Sequence, residues 1–329
     1  MHGRKMPATL RFMLASRRSE LLGLEDLTRT CELVTRISQL VHALQKERGY
    51  SNIYLGGNAA HQRQQLDALS LEAEALERAV RQDLDRIDLE AVSAADKTRL
   101  FTRIAYALHS LDELPALRRR IREHAISMQD ATATLVRLIG GLLAVVFEAA
   151  DTASDPHITR CLVALFNFMQ GKELAGQERA LGVLVLSAGF LDAAQADQLA
   201  YLVEGQQRCF DTFASHAGDA ELAQWRGLDA LLLPVFRLRD LMRRTSSDQR
   251  VDASLAETWF EVCTRRIDAM RGIEAALEAS LQQQCRRQVV SAGSALENHR
   301  LLARQLAEQA PPADQPVWFS VREHVMDLR

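Results

Sequence analysis

Three arginines stand where the helical period of the sequence predicts an apolar side chain. They are Arg48, which follows Ile37, Val41 and Leu44; Arg179, which follows Leu165, Met169 and Gly176; and Arg239, which follows Leu228, Leu232 and Val235. Residues three and four apart share one face of a helix, so each guanidinium should point into the interior. Arg237 lies off the third stripe and is the reserve choice there. Each buried guanidinium needs an anion beside it, because an unpaired charge is costly to bury.

The sequence leaves two sources for that anion open. One is an acidic side chain of the protein, and the candidates for such interhelical salt bridges are Glu47, Glu173, Glu178 and Asp240. The other is a small anion from outside, to which a planar guanidinium offers two parallel charge-assisted hydrogen bonds. Under the first interpretation the chain is a ligand-free helical adaptor or scaffold in signal transduction. Under the second it is an anion sensor.

Other kinds of chemical site find little support in the sequence. No helix carries a His-Glu-x-x-His or paired Glu-x-x-His metal set, and no glycine-rich phosphate loop is present. The five cysteines are odd in number and widely spread, which predicts neither a disulfide framework nor a zinc site. We therefore expect no enzyme activity, no metal ion and no cofactor.

The composition limits the compartment and the partners of the chain. A net charge of −3 argues against direct nucleic-acid binding through a basic surface. No stretch of about 18 uncharged apolar residues occurs, as a membrane-spanning helix would require. The start of the chain carries basic residues but no apolar signal region, so we expect a cytoplasmic protein without a membrane partner.

The elements that must position the arginines are helices. Glycine and proline number only 16 and 7, and few segments show the period-2 alternation of half-buried strands. We predict a first helix from near Leu24 to Gly49 or soon after, a loop around Gly56 to Asn58, a second helix carrying Leu66 to Leu84, a third capped by Ser93, and further helices over Leu114 to His124, Asp130 to Ala150, Pro156 to Leu186, Ala193 to His216, Ala220 to Arg244 and from Leu255 onward. Short connections between such helices are typical of antiparallel bundles. The predicted fold is all-α, with a boundary between two bundles in Ala150 to Pro156.

The last helix is longer than a globular core requires. Its later part repeats small and apolar residues at alternating four- and three-residue steps, namely Cys285, Val289, Ala292, Leu296, His299, Ala303 and Leu306. This spacing predicts a short coiled-coil seam, although a histidine and two alanines weaken it. We expect a homodimer through this stalk.

Two segments resemble the signature motifs of a known family. Leu44 to Leu55, reading LQKERGYSNIYL, and Phe168 to Gly182, reading FMQGKELAGQERALG, look like those of the NIT (nitrate- and nitrite-sensing) domain. Shorter matches, Glu204 to Asp211 and Trp259-Phe260 followed by Arg265-Arg266, extend the resemblance over roughly Leu27 to Leu281. Within the family, the chain resembles the NasR-type nitrate regulatory proteins.

The resemblance implies a fold, a ligand and a role. The family's domain is a pair of four-helix bundles side by side, with nitrate or nitrite held between helices by arginines. Arg48 and Arg179 fall on well-defined motif positions, whereas Arg239 falls in a poorly aligned helix. The implied function is regulation of nitrate assimilation genes, with the signal passing through the C-terminal helix. The NasR-type proteins also carry an RNA-binding ANTAR module, and none fits after Leu281, so we expect a separate output protein.

These inferences together predict four segments. They are a polar N-terminal segment over 1–23, the sensing domain over 24–284, a helical stalk over 285–309 and a C-terminal tail over 310–329.

Overall fold

A computed structural model describes residues 8–56, 60–86, 94–151, 153–245 and 250–309 of the chain. Within these ranges the structure contains helices and no strands, as the all-α prediction requires. The helices are α1 (Ala8–Gly56), α2 (Ala60–Asp85), α3 (Ala94–Asp112), α4 (Leu114–Arg122), α5 (Met128–Asp151), α6 (Pro156–Ala188), α7 (Ala193–His216), α8 (Asp219–Arg226), α9 (Asp229–Arg243) and α10 (Leu255–Gln309).

Two helix boundaries differ from the sequence prediction. Helix α1 begins at Ala8 rather than near Leu24, because helix formers continue through the arginine-rich start even though their apolar period is weak. The single helix predicted over Ala220 to Arg244 is two helices, α8 and α9. The break comes at Gly227, a poor helix former whose N–H caps α8 by donating to the carbonyl oxygen of Ala223. The predicted cap at Ser93, residues 57–58 of the predicted loop and the tail over 310–329 lie outside the described residues.

Most of the described chain forms one compact unit, Arg29–Gln284. Its first bundle is built from the later part of α1 together with α2, α3 and α5. These helices enclose an apolar interior, lined by Ile37, Val80, Leu84, Ile104, Ala107, Leu111, Leu142 and Val145. The residues recur at three- and four-residue steps, so each helix presents one apolar stripe to the others.

The second bundle is built from α6, α7, α9 and the first part of α10. Its core contains Leu174, Leu181, Val185, Leu186, Leu199, Leu202, Val235, Met242, Trp259 and Cys263. Helix α6 packs against α5 of the first bundle as well as against α7 and α9 of the second. Because α6 has neighbours on both sides, it also buries charged residues, namely Lys172, Glu173, Glu178 and Arg179. The two-bundle fold is thus confirmed, and α6 is the helix that both bundles share.

A second compact unit contains the described residues Ala8–Thr28 and Cys285–Gln309. Four residues of the predicted stalk seam, Cys285, Ala292, Leu296 and Ala303, are already buried within the single chain. The unit also presents large exposed apolar side chains, including Phe12 and Val290. The homodimer remains a prediction, since four of the seven seam residues are already buried within one chain.

One helix in the described part of the chain, α5, is long and apolar enough to cross a membrane by length and composition alone. Of its most apolar window, 56% is buried inside the protein. That degree of burial is what a core helix of a bundle shows, and α5 indeed lines the interior of the first bundle.

Candidate anion-binding site

Arg48 lies buried where α1 of the first bundle meets α6 of the second. Its side chain is paired with Glu173 through two hydrogen bonds, Nη1 to Oε1 at 2.5 Å and Nη2 to Oε2 at 3.1 Å. The same carboxylate accepts from the amides of Gln45 and Gln177, each at 2.9 Å. Glu173 therefore sits in a cage of donors much as a bound planar oxyanion would. The internal salt bridge that the sequence left open is formed here.

Arg179 is buried as well, but no carboxylate among the described residues bonds to it. Its Nη1 donates to the hydroxyl of Thr264 on α10 at 2.8 Å, and its guanidinium lies over the ring of Phe260, 4.9 Å from the centroid. The backbone carbonyl oxygen of Arg179 accepts a 2.9 Å bond from the indole of Trp259. A neutral hydroxyl and an aromatic face compensate a cation only weakly.

Arg48 and Arg179 pack reciprocally across two glycines. A Cβ atom on Gly176 of α6 would lie 2.7 Å from Nη2 of Arg48, and one on Gly49 of α1 would lie 2.8 Å from Nη2 of Arg179. Each guanidinium thus packs directly against a glycine of the opposite helix, at a position where a side chain would leave it no room. The structure brings these two predicted residues together.

The electrostatics of the pair show an excess of positive charge. Burial, and after it the positive charge of Arg48, lower the pKa of Arg179 to about 10, and the negative charges of Asp268 and Glu173 offset this only in part. The hydrogen bonds of Glu173 go to Arg48 and to two amides, so among the described residues Arg179 carries a buried positive charge with no directly bonded counter-ion. A small monovalent anion would neutralise it.

Arg239, the third predicted residue, is buried on α9 and pairs with a different carboxylate. Its Nε and Nη2 both donate to Glu178, the latter at 2.6 Å. Gln206 of α7 donates to the same carboxylate at 2.7 Å. The reserve choice, Arg237, is exposed, so the periodicity chose the inward arginine correctly.

Comparison with known proteins decides the family of the chain. The family model for nitrate and nitrite sensing, NIT, matches residues 39–282. The chain belongs to the NIT family. That stretch contains Arg48, Arg179 and Arg239 and ends close to the limit of the larger compact unit.

This NIT protein is similar to two proteins whose names describe regulators. It is 35% identical over 315 residues to a nitrate regulatory protein of Klebsiella oxytoca, covering 94% of this chain and 73% of that protein. Its structure is similar to that of the NasR transcription antiterminator, with a TM-score of 0.76 at 34% identity, covering 92% of this chain and 82% of that one. The resemblance read from the two motifs is therefore confirmed, together with the two-bundle fold.

Sequence reasoning did not single out Arg266, a buried arginine of this NIT domain, as a candidate site residue. Arg266 on α10 lies beside Arg239 and Glu178, and only 5% of its surface is exposed. It interrupts an apolar stripe on which Trp259, Cys263 and Met270 are buried, the same signal that marked the other three. In the described residues, no group of three or more histidine, cysteine or acidic side chains is arranged to hold a metal ion.

Proposed function

We propose that this NIT protein is a sensor that binds nitrate or nitrite and regulates nitrate assimilation genes. The anion binds between Arg48 and Arg179, where α1 and α6 meet. The observation that carries the proposal is the buried guanidinium of Arg179, which has a hydroxyl and an aromatic ring beside it but no carboxylate bonded to it among the described residues. The names of the relatives, a nitrate regulatory protein and a transcription antiterminator, support the same ligand and role.

The chemistry of the two arginines suits a planar monovalent anion. Nitrate spaces its oxygens much as a carboxylate does, so the N–H groups of Arg179 other than the one donated to Thr264 can form two parallel hydrogen bonds to it. Arg48 donates two N–H groups to Glu173, and its remaining N–H groups can donate to a neighbouring anion. One bound anion brings the cluster to neutrality.

The size of the ligand limits its affinity. At the ceiling of about 1.5 kcal/mol per heavy atom, four atoms give roughly 6 kcal/mol, which corresponds to a dissociation constant on the order of tens of micromolar. We therefore expect binding in the micromolar range, and a nanomolar constant would indicate a larger ligand.

The signal passes through α10. Without ligand, the like charges of Arg48 and Arg179 oppose close approach of α1 and α6, and the anion removes that repulsion and selects the closer arrangement. Thr264 of α10 bonds directly to Arg179, so a shift of that guanidinium acts on α10. This helix runs without interruption from Leu255 to Gln309. In this proposal the movement passes along it to the predicted stalk and from there to a separate output protein.

Isothermal titration of the full chain with sodium nitrate, with chloride and sulfate as controls, tests the proposal. We expect micromolar binding for nitrate or nitrite, lost in Arg179→Gln and retained in Arg265→Gln, which changes an exposed arginine on α10. Unchanged affinity in both Arg48→Gln and Arg179→Gln would refute the assignment.

A ligand-free helical adaptor is the second candidate function. The salt bridges of Arg48 with Glu173 and of Arg239 with Glu178 favour it, because they already satisfy two of the three predicted arginines from within the chain. Thermal unfolding with and without millimolar nitrate separates the two functions, since a ligand that binds only the folded state raises the midpoint. An adaptor would respond to nitrate no more than to chloride.

A further inference from the structure

Beside the candidate anion site, α6 and α10 share a buried ion pair. Lys172 of α6 donates to Oε2 of Glu274 on α10, and both side chains are fully buried. Nη1 of Arg271 donates to the same oxygen at 2.9 Å. The other carboxylate oxygen of Glu274, Oε1, is buried and accepts no hydrogen bond from the described residues. A buried polar atom of this kind needs a donor.

Helix α1 runs past this ion pair in the direction opposite to α10. Near one end of the contact, the hydroxyl of Ser38 on α1 donates to Oε1 of Glu278 on α10 at 2.7 Å. Near the other end, Arg179 lies against Gly49 of α1 and donates to Thr264 of α10. Residue numbers therefore rise along α1 as they fall along α10. A residue one turn after Ser38 thus faces a residue one turn before Glu278.

The residues at those two positions are His42 and Glu274, at the level of Lys172 on α6. Nδ1 of His42 is buried and has no hydrogen-bond partner among the described residues. Burial, and after it the charge of Lys172, lower the pKa of His42 to about 3, so the imidazole is uncharged at neutral pH. An uncharged imidazole carries one proton, which Nδ1 can hold and donate.

Gln45 brings a third unpartnered atom to the same place. It follows His42 by three residues, so the two side chains lie on one face of α1. Its Nε2 donates to Glu173, the residue next to Lys172 on α6, at 2.9 Å. Its Oε1 is buried and accepts no hydrogen bond from the described residues. Two orphaned acceptors and one potential donor are thus grouped where α1, α6 and α10 meet.

One water molecule satisfies all three atoms. Water donates two hydrogen bonds, here to the carboxylate of Glu274 and the amide oxygen of Gln45, and accepts one from His42. Three hydrogen bonds are typical of a buried water. Charged ligands fit less well. The carboxylate would repel an anion, and Lys172 and Arg271, which already pair with that carboxylate, would repel a cation.

We propose that His42, Gln45 and Glu274 bind one buried water molecule, which links the candidate anion site to α10. Arg48 and Gln45 both donate to Glu173, so hydrogen bonds then run from Arg48 through Glu173, Gln45 and the water to Glu274. The water site stands on the three orphaned atoms alone. Its part in signalling rests on the proposed function.

The bound water gives α10 a way to respond to the anion. A nitrate ion beside Arg48 competes with Glu173 for its N–H groups, and a shift of Glu173 moves Gln45. Because neighbouring hydrogen bonds in a buried network affect one another, the water passes that movement to Glu274. Glu274 lies eleven residues before Cys285, where the predicted stalk begins.

Nitrogen NMR of the full chain labelled on histidine tests the water site. We expect His42, assigned through its loss in His42→Gln, to be uncharged with its proton on Nδ1, and that proton to show cross-relaxation with a long-lived water. His109, which is exposed on α3, is the internal control, because its ring proton exchanges with bulk solvent. A proton on Nε2 of His42, or an Nδ1 proton that contacts no water, would overturn the site.

Hydrogen exchange of the stalk, residues 285–309, with and without sodium nitrate tests the link to α10. We expect bound nitrate to change the exchange rates there in the wild-type chain. His42→Phe removes the donor to the water and should abolish this response. Nitrate affinity should stay within about twofold, because His42 lies six residues, about 9 Å, from Arg48 on α1. The control His109→Phe should keep both the affinity and the response.

The outcomes distinguish the link, the water site and the proposed function. A stalk response retained in His42→Phe, or absent in a wild-type chain that binds nitrate, would overturn the link to α10. A chain that binds no nitrate would refute the proposed function together with the link, whereas the proton position of His42 still decides the water site. A chain that binds nitrate but holds that proton on Nε2 would refute the water site and leave the proposed function standing.

Discussion

Glu47 and Arg48 are neighbours on α1 whose side chains lie in two different buried clusters. Glu47 faces the interior of the first bundle, where Nε and Nη2 of Arg118 donate to it at 2.7 and 2.9 Å and the hydroxyl of Ser70 donates at 2.7 Å. Arg48 faces α6, where it pairs with Glu173 close to Arg179, a guanidinium to which no carboxylate bonds among the described residues. The two clusters are equally buried and differ in their charge balance.

The pKa shifts follow that balance. Burial by itself would lower the pKa of Arg118, but the hydrogen bonds and the charge of Glu47 raise it above its ordinary value. Arg179 has no such partner, and burial lowers its pKa to about 10. A buried salt bridge is therefore not a ligand site by itself, and the guanidinium left over beside it is what needs an anion.

The largest expected effect comes from unbalancing the closed cluster. Glu47→Gln leaves Arg118 with only the more distant carboxylates of Glu74 and Glu77, at 3.4 and 3.9 Å, and we expect a loss of about 3 kcal/mol in the free energy of unfolding. Urea unfolding measures it, with Glu72→Gln, which removes the exposed partner of Lys46, as the control. The nitrate response should persist, since Arg48 and Arg179 are untouched. A loss below about 1 kcal/mol would remove the contrast between the clusters.

Balancing the open cluster should have the next largest effect. Thr264→Asp places a carboxylate where Arg179 now meets a hydroxyl, and a charge-assisted hydrogen bond of about 1.5–3 kcal/mol would occupy the guanidinium. We expect nitrate affinity to fall by roughly tenfold to a hundredfold while the free protein becomes more stable. Thr264→Asn is the matched neutral control. Equal affinities in the Asp and Asn variants would contradict the role of charge balance.

Removing the internal carboxylate should strengthen binding. Glu173→Gln keeps the shape of the side chain but removes a negative charge that repels the incoming anion, so we expect nitrate affinity to rise by roughly tenfold. Titration calorimetry measures the change, and the more highly charged free protein should be less stable. Weaker nitrate binding in this variant would show that Glu173 positions Arg48 for the ligand instead of competing with it.

The smallest effect is a dependence on alkaline pH. Nitrate binds the protonated guanidinium, so its affinity should be constant below about pH 9 and fall about twofold at pH 10, the lowered pKa of Arg179. The folded pKa lies below the unfolded one, so the charged Arg179 costs stability at neutral pH and that cost is relieved as pH rises through 10. Affinities measured from pH 7 to 10.5 test the trend. An affinity that stays constant beyond pH 10 would contradict it.

Much of the fold could be predicted because it follows from local spacing. Helix α7 and the start of α10 are where the periodicity placed them. The same spacing distinguished the buried Arg239 from the exposed Arg237, two residues away. The beginning of α1 was missed because its residues form a helix without the strong apolar stripe on which the prediction relied.

The contents of the candidate site were harder to predict. Of four candidate carboxylates, Glu173 and Glu178 bind the predicted arginines, Glu47 binds Arg118 instead, and Asp240 lies near the exposed Arg244. Nothing in the spacing along one helix reveals which side chain of another helix will meet it. The helical period that marked the three predicted arginines also applies to Arg266. This arginine lies on an apolar stripe of α10, and that position predicts its burial.

The sequence by itself determined which faces of the helices are buried and that arginines interrupt them, because helical period depends only on residues three and four apart. It also determined the family, through two motifs. Only the tertiary structure decided which buried arginines have a carboxylate and which do not, because those pairs form across helix crossings more than a hundred residues apart for Arg48 and Glu173. The distribution of charge, and with it the candidate anion site at Arg48 and Arg179, is a property of the packed bundles.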